Sequence, residues 1–339
     1  MDKQSPQISV VMSVYNGDKY LREAVGSILN QAFTDFEFII VDDGSTDSTA
    51  EILGSYTDAR IVLIKNEKNI GLAESLNGGI ALARGEYIAR MDADDISFPE
   101  RLKEQVAFLD NNPSIGVLGT GMEFLDHDGN KTGRKLMFPE TPNLIKWTLF
   151  FQNSIAHPSA MMRRSLLVQV GCYQESQIAE DYDLWYRISQ VTKLYNLPLV
   201  LIMLRKHETQ LTNTRKTDIS DYDLSMSQRM FSHFFEKPIP AEWISCIRGN
   251  NCTDYKIIND SCKFILAFNK KFTVDYVLSE QEICQIQKST ADKIFKLARR
   301  GGYHSFIYVI WACVLNPPII KRILLFPQRK LNLRNVNKL

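Results

Sequence analysis

The stretch Gly85–Leu102, GEYIARMDADDISFPERL, decides how the chain is read. It opens as an apolar, strand-like run and closes on three aspartates, Asp92, Asp94 and Asp95, within four positions. Side chains two apart on an extended strand share a face, so Asp92 and Asp94 point one way and Ala93 the other. Two converging carboxylates either share a proton, which raises one pKa, or are neutralised by a cation. Hard divalent ions such as Mg2+ or Mn2+ prefer oxygen ligands of this kind. An acidic turn after a strand is also common without any ligand. Asp95 is read as a cap on the turn before Ser97, with Pro99 suited to the first turn of the following helix. An EF-hand loop counted from Asp92 needs glycine and glutamate where Ser97 and Lys103 stand, so that reading fails. Neither GxxxxGK[ST] nor GxGxxG occurs, which removes the two common phosphate-binding loops.

Working outward, ISVVMSVY (Ile8 to Tyr15) and FEFIIVDD (Phe36 to Asp43) are short β-branched apolar runs that predict buried strands. Between them Leu21, Val25, Ile28 and Leu29 recur at helical spacing, and right-handed crossover then makes the strands parallel. Ser48 and Glu51 stand at capping-box spacing before a second helix. A third strand, ARIVLIKN, precedes a helix that ends at Gly85. This regular alternation predicts an α/β fold with an open, mostly parallel sheet and ligands at the carboxyl ends of its strands, where VDDGS and MDADD both fall. From Val117 onward the elements are scattered. The polar run His207 to Asp218 is the candidate boundary, giving a catalytic domain over 1–215 and a mainly helical region over 216–339.

A second acidic group sits in EDYDLWYRISQV. Leu184, Ile188 and Val191 form an apolar helical stripe, with Asp181 on the same stripe one turn earlier. Amides at a helix start favour the ionised carboxylate while burial opposes it, which can hold its pKa in a range useful for proton transfer. A helix-start acid serving only the dipole is the alternative.

The 339 residues, 45% of them hydrophobic, suffice for one large domain with an appendage. The net charge of +1 conceals an asymmetry, because ten of the 40 basic residues and none of the acidic ones lie from Lys293 to Leu339. The six cysteines are scattered without CxxC pairs, which suits a reducing compartment better than a zinc site or a disulfide scaffold. The polar MDKQSPQ and the short ISVVMSVY do not read as a secretory leader, so a cytoplasmic location is expected. Phe306 to Leu315 is an unbroken apolar run of ten residues, short of the roughly 20 that span a bilayer. It suits a buried helix or an interfacial element. The basic cluster Lys321, Arg322, Arg329, Lys330, Arg334 and Lys338 suits an anionic membrane surface at the inner face of the plasma membrane. No aromatic-basic motif accompanies that charge, so nucleic acid is not expected as a partner.

Taken in order, SVVMSVYNGDKYLREAVGSILNQAFTDFEFIIVDDGSTDST, ARGEYIARMDADD and AEDYDLWYRI resemble the family 2 glycosyltransferases of the GT-A fold, bacterial surface-polysaccharide type, over Ile8 to Thr214. The resemblance implies an inverting enzyme that moves a sugar from a nucleotide-sugar, a UDP-sugar above all, to a hydroxyl of a glycan or lipid-linked acceptor, with Mn2+ or Mg2+. It implies that Asp43 hydrogen-bonds the nucleobase and that Ser13 and Tyr15 border the same pocket. A carboxylate can accept from uracil N3–H and a tyrosine can stack on the ring, although Tyr15 also suits an apolar core. Asp92 would face the ribose or the metal shell, Asp94 would bind the metal, and His207 would lie near the metal or diphosphate. Asp181 would be the catalytic base, with Glu180 and His157 on the acceptor side; packing of His157 against Pro158 is the plainer alternative. Asp42 serves the neighbouring sheet or loop. Arg205 and Lys206 either offset diphosphate charge or stand in solvent. A non-catalytic nucleotide-sugar-binding or scaffold protein with the same fold is the competing reading.

Overall fold

The apolar run after the polar N-terminal residues forms β1 (Ile8–Val14), and the alternation foreseen from the sequence follows it in a computed structural model. The structure describes residues 5–174, 179–208, 210, 216–250, 252–300, 308, 310 and 314–316. Two compact units result, Met1–Asp223 and Leu224–Leu339.

In the first unit α1 (Asp18–Leu29), β2 (Phe36–Asp42), α2 (Thr49–Gly54), β3 (Ile61–Lys65), α3 (Leu72–Leu82) and β4 (Tyr87–Asp92) follow β1. β1 pairs in parallel with β2 and β4, and β2 with β3. The register sets Ser13 opposite both Val41 and Asp92, and Val14 opposite Asp42, so the acidic motifs end adjacent strands at one edge. Leu21, Val25 and Ile28 of α1 are fully buried against Val10, Met12, Phe38 and Ile40. Each such side chain contributes about 1.5–3 kcal/mol by leaving water.

The unit continues with β5 (Ile96–Ser97), α4 (Arg101–Asn111), β6 (Ile115–Leu125), β7 (Lys131–Leu136), α5 (Pro142–Leu149), a 3-10 turn (His157–Ser159), β8 (Met161–Arg163), α6 (Arg164–Val170), α7 (Glu180–Ser189) and β9 (Lys193–Arg205). The sheet runs β3-β2-β1-β4-β8-β6-β9-β5, with β7 paired to β6. β8 is antiparallel to both neighbours, whereas β6 and β9 run in parallel and bring Arg205 beside Leu125. The predicted α/β sheet, mostly parallel and flanked by helices, is therefore observed.

Local details differ from the sequence reading. Ser48 precedes α2 but its side chain makes no cap; Asp47 accepts from Thr49 N at 2.9 Å instead, and its other oxygen accepts from Asp18 N at 3.1 Å. One carboxylate thereby serves the starts of two helices, with a separate oxygen for each. Pro99 lies ahead of α4, whose N-cap is Glu100, and Asp95 does not cap that turn. Val191 falls beyond the end of α7 and is exposed, so the buried stripe is Leu184 and Ile188 joined by Trp185. α3 stops at Leu82 because Ala83 is already extended. Gly85 then passes so close to β1 that a Cβ there would stand 2.5 Å from Ser9 N.

The second unit begins within α8 (Lys216–Phe235) and adds α9 (Ala241–Arg248), α10 (Tyr255–Asp275) and α11 (Glu280–Ala298). Phe231, Phe264, Phe268 and Phe272 make its aromatic core, with Phe231 edge-on to Phe268 at 4.9 Å. Asp254 caps α10, and Ser279 with Glu282 closes a capping box on α11. The apolar run Phe306 to Leu315 lies outside the described residues except at positions 308, 310, 314 and 315, as does the whole basic cluster from Lys321 to Lys338. Among the described residues no helix is long and apolar enough to cross a membrane.

Candidate active site

The carboxyl edge of β1 and β2 is built by loops that hold each other. Asn16, at a φ of 51°, accepts from Thr46 N at 2.8 Å, and its own N–H donates to Ser45 Oγ at 3.0 Å. Asp42 is buried and accepts from Ser45 N at 2.9 Å, which gives it the loop role foreseen for it. Asp43 is buried as well. One of its oxygens accepts from Asn66 Nδ2 at 2.8 Å and Ile70 N at 2.9 Å, and the other from Gly71 N at 2.9 Å. It thus shapes the 66–71 loop, and of the roughly four lone-pair sites of a carboxylate one remains for a ligand. Tyr15, 49% exposed, is not a core aromatic; its ring stands open at this edge near half-buried Ser13.

Beside that edge β4 delivers the acidic cluster. One oxygen from each of Asp92, Asp94 and Asp95 lies within 4.8 Å of the others. Asp92 ends β4 and pairs with the buried Arg90 guanidinium from the same strand. Asp94 Oδ2 meets His207 Nε2 at 2.8 Å, so the sequence-distant histidine joins the aspartates. Asp95, only 1% exposed, accepts from Arg205 N at 3.0 Å through Oδ1, while its Oδ2 is buried with no hydrogen-bond partner. Burial, then the charges of Asp94 and Asp92, push the Asp95 carboxyl well above the usual range. Burial also raises Asp92, against the pull of Arg90. Three clustered carboxylates, one of which keeps an orphaned buried oxygen, are a donor set that fits a hard divalent cation.

Arg205 is neither solvated nor free for a diphosphate. Its guanidinium donates to Asp94 O at 3.1 Å and Glu23 Oε2 at 2.7 Å, and lies 4.6 Å from the centre of the Tyr20 ring. Lys206 is the exposed one, 5.7 Å from the centre of the Phe124 ring.

The second acidic group stands at the start of α7. Asp181 Oδ2 accepts from Asn153 Nδ2 at 2.6 Å. Burial and the adjacent Glu180 push its carboxyl up to about 7, against the Asn153 hydrogen bond and the charge of Arg90. Burial raises Glu180 too. His157 is buried, with Nε2 at 2.7 Å from Tyr173 Oη and Nδ1 at 3.6 Å from Glu180 Oε1. Burial keeps its imidazole well below the ordinary value and hence neutral. Contact with a buried tyrosine and a glutamate, more than packing on Pro158, accounts for its position. Arg90 links the two acidic groups: paired to Asp92, it also acts electrostatically on Glu180, Asp181 and His157.

Sequence reading missed Arg90, Asn153, Tyr173 and the membership of Asp95 in the cluster. Arg90 left a signal, a charge inside the apolar run YIARMD two positions from Asp92 and so on its face. Asn153 and Tyr173 left none, since both lie in loops and their partners, at the start of α7 and in the 3-10 turn, are 28 and 16 residues away.

Residues 9–171 match the model of "Glycosyl transferase family 2". An uncharacterized glycosyltransferase of Methanocaldococcus jannaschii is 37% identical over 249 residues, covering 69% of this chain and 83% of the relative. The chain is a family 2 glycosyltransferase. This glycosyltransferase is also 34% identical over 248 residues to the O-antigen biosynthesis glycosyltransferase WbnJ of Escherichia coli, covering 71% and 93% of the two chains. It is 40% identical over 209 residues to the putative glycosyltransferase EpsE of Bacillus subtilis, covering 59% and 73%. Among solved structures, S. aureus TarS 1-349 in complex with UDP-GlcNAc matches with a TM-score of 0.56 and 22% identity over 87% of this chain and 82% of that one, a likeness of fold. The glycosyltransferase thus has the GT-A architecture expected from its motifs, with a helical C-terminal unit.

Proposed function

We propose that this glycosyltransferase moves a hexose, with inversion, from a UDP-sugar to a hydroxyl of a glycan or lipid-linked acceptor during assembly of a surface polysaccharide. The observation that carries the reading is the meeting of two acidic groups, Asp92/Asp94/Asp95 and Glu180/Asp181, around the buried guanidinium of Arg90, whose charge acts on both. The first group suits a diphosphate with its cation, and the second suits proton transfer. Names of relatives support the pathway class: one is an O-antigen biosynthesis glycosyltransferase and another an amylovoran biosynthesis glycosyltransferase. The UDP-GlcNAc held by TarS supports a uridine nucleotide.

In this reading Tyr15 stacks on the base, Ser13 borders it, and Asp43 receives the base N–H on its remaining lone pair. Asp94 and Asp92 hold Mn2+ or Mg2+ with His207 and Asp95 alongside; when bound, that ion neutralises the charge of the departing nucleoside diphosphate. Asp181 takes the proton of the acceptor hydroxyl as that oxygen attacks the anomeric carbon, and a single displacement inverts its configuration. A carboxylate with a pKa of about 7 is matched to proton uptake near neutral pH. Glu180 and His157 line the acceptor side. The enzyme works in the cytoplasm, and the basic C-terminal cluster holds it against the anionic inner face of the plasma membrane.

The test is a panel of UDP-, GDP- and dTDP-sugars, with release of nucleoside diphosphate followed with and without Mn2+. Release from UDP-sugars that EDTA abolishes is expected. Binding without release on any acceptor pool would replace the enzyme reading with that of a nucleotide-sugar-binding protein, and metal-independent release would remove the assigned role of the aspartates. Co-sedimentation with anionic liposomes, lost on removal of Tyr303 to Leu339, checks the membrane assignment.

A further inference from the structure

Asn153 sits in the loop after α5, which is anchored on every side. Phe151 and Gln152 donate to Thr148 O at 2.9 Å and 3.0 Å, and Asn196 Nδ2 donates to Ser154 O at 3.0 Å and to Pro139 O at 2.7 Å. Ser154, Ile155 and Asn196 are buried. The Asn153 amide is itself oriented, because Oδ1 accepts from Ile155 N at 3.2 Å and so leaves the NH2 end to face Asp181 Oδ2 at 2.6 Å. A fixed loop thereby presents one donor to one oxygen of the proposed base.

We infer that Asn153 is a positioning residue for the transfer reaction: its amide fixes the orientation of the Asp181 carboxylate and favours its ionised form, so that the other oxygen meets the acceptor hydroxyl. The inference rests on Asp181 being the base. Its physical cause is that an N–H donor stabilises the charged form of an acid that burial and a neighbouring carboxyl drive toward the neutral form. The other charged and titratable groups around Asp181 are accounted for. Glu180 on its own helix opposes ionisation and Arg90 on β4 favours it. Tyr173 is neutral, raised by burial and by these same acids, and His157 turns to Tyr173 and Glu180. Of the elements packed on α7, α6 carries Arg164, turned to Gly85 O at 2.8 Å, and α5 carries Lys146, which burial alone lowers. On β9, Lys193 is exposed, Tyr195 stacks on Phe108 and Arg205 is committed to Asp94, Asp95 and Glu23. Asn153 supplies the neutral side-chain donor that reaches the carboxylate from outside its own helix.

The experiment compares kcat against pH for the full chain and for Asn153→Ala, Asn153→Ser and Asp181→Asn, with UDP affinity and thermal unfolding measured on each. Asn153→Ala is expected to move the acid limb of the profile upward by about one pH unit, a roughly tenfold loss below the limb that shrinks at high pH. UDP affinity should be unchanged, and Asn153→Ser, which keeps a short donor, should recover part of the shift. A uniform loss at every pH, or a parallel loss of UDP binding, would make Asn153 merely structural and overturn the inference while leaving Asp181 as base. Full activity in Asp181→Asn would instead overturn the base assignment beneath it. If Asn153→Ala unfolds, the Asn153→Ser profile decides alone, an unshifted limb being the overturning result.

Discussion

The acids at the end of β4 and those at the start of α7 are handled in opposite ways. Asp92, Asp94 and Asp95 are each met by a basic side chain or by the backbone of one: Arg90 on Asp92, His207 on Asp94, Arg205 N on Asp95. Glu180 and Asp181 have no ion pair of comparable closeness among the described residues; backbone N–H groups of α7, the Asn153 amide on Asp181 and the charge of Arg90 offset their burial. Under the proposed mechanism this difference matters: close basic partners suit the first cluster to holding a cation, and a neutral donor suits the second to a change of protonation.

The largest effect should come from removing one member of each group. Asp181→Ala is expected to lower kcat by about 10²–10⁴-fold with donor affinity retained. Asp94→Ala should instead weaken metal-dependent donor binding, read by titration of UDP with Mn2+. Equal loss of both quantities in both variants would erase the distinction. Next in size, Arg90→Met leaves Asp92 and the acids of α7 without their shared cation, and a loss on the order of 3 kcal/mol in urea unfolding is expected. Gly44→Ala follows, at about 1–3 kcal/mol, because Gly44 has a φ of +73° and its Cβ would stand 2.5 Å from the Lys68 carbonyl carbon. The last test concerns pH and stability. The folded Asp181 titrates at about 7 against an ordinary 3.8, so the folded chain binds that proton more tightly. Its stabilising contribution is full below about pH 4 and is lost as pH rises through 7. Asp181→Asn should therefore raise the unfolding temperature at pH 8, by roughly 2–4 °C per kcal/mol recovered, and change it little at pH 4. An equal shift at both values would deny the raised pKa.

Much of this was legible because it is local. Short β-branched apolar runs and helical stripes pointed to β1, α1, β2 and β4, and the strand ends put Asp42, Asp43 and Asp92 on one edge. The coming together of Asp94 and His207 followed from motif order, not from any local rule, since 113 residues separate them. What stayed hidden is the choice of partner. Ser48 has the spacing of a cap, yet Asp47 wins because one carboxylate can hold two backbone donors at once. Arg205 reads as a surface cation in LRKHE but is drawn under the Tyr20 ring by Glu23 and the Asp94 carbonyl. Asn153 carries no charge and no periodicity, so only the folded loop reveals it.

Arg205 fastens three stretches that are far apart in the chain, at Glu23, Asp94–Asp95 and the close of β9. The signature by which the family is recognised ends at residue 171, before this latch and before Asp181. A fragment trimmed to the signature would keep β1 to β8 but lose β9, and with it the fastening of the acidic rim. Any attempt to graft another specificity onto the donor half therefore has to carry residues 181–207 across with it, or rebuild their grip from elsewhere.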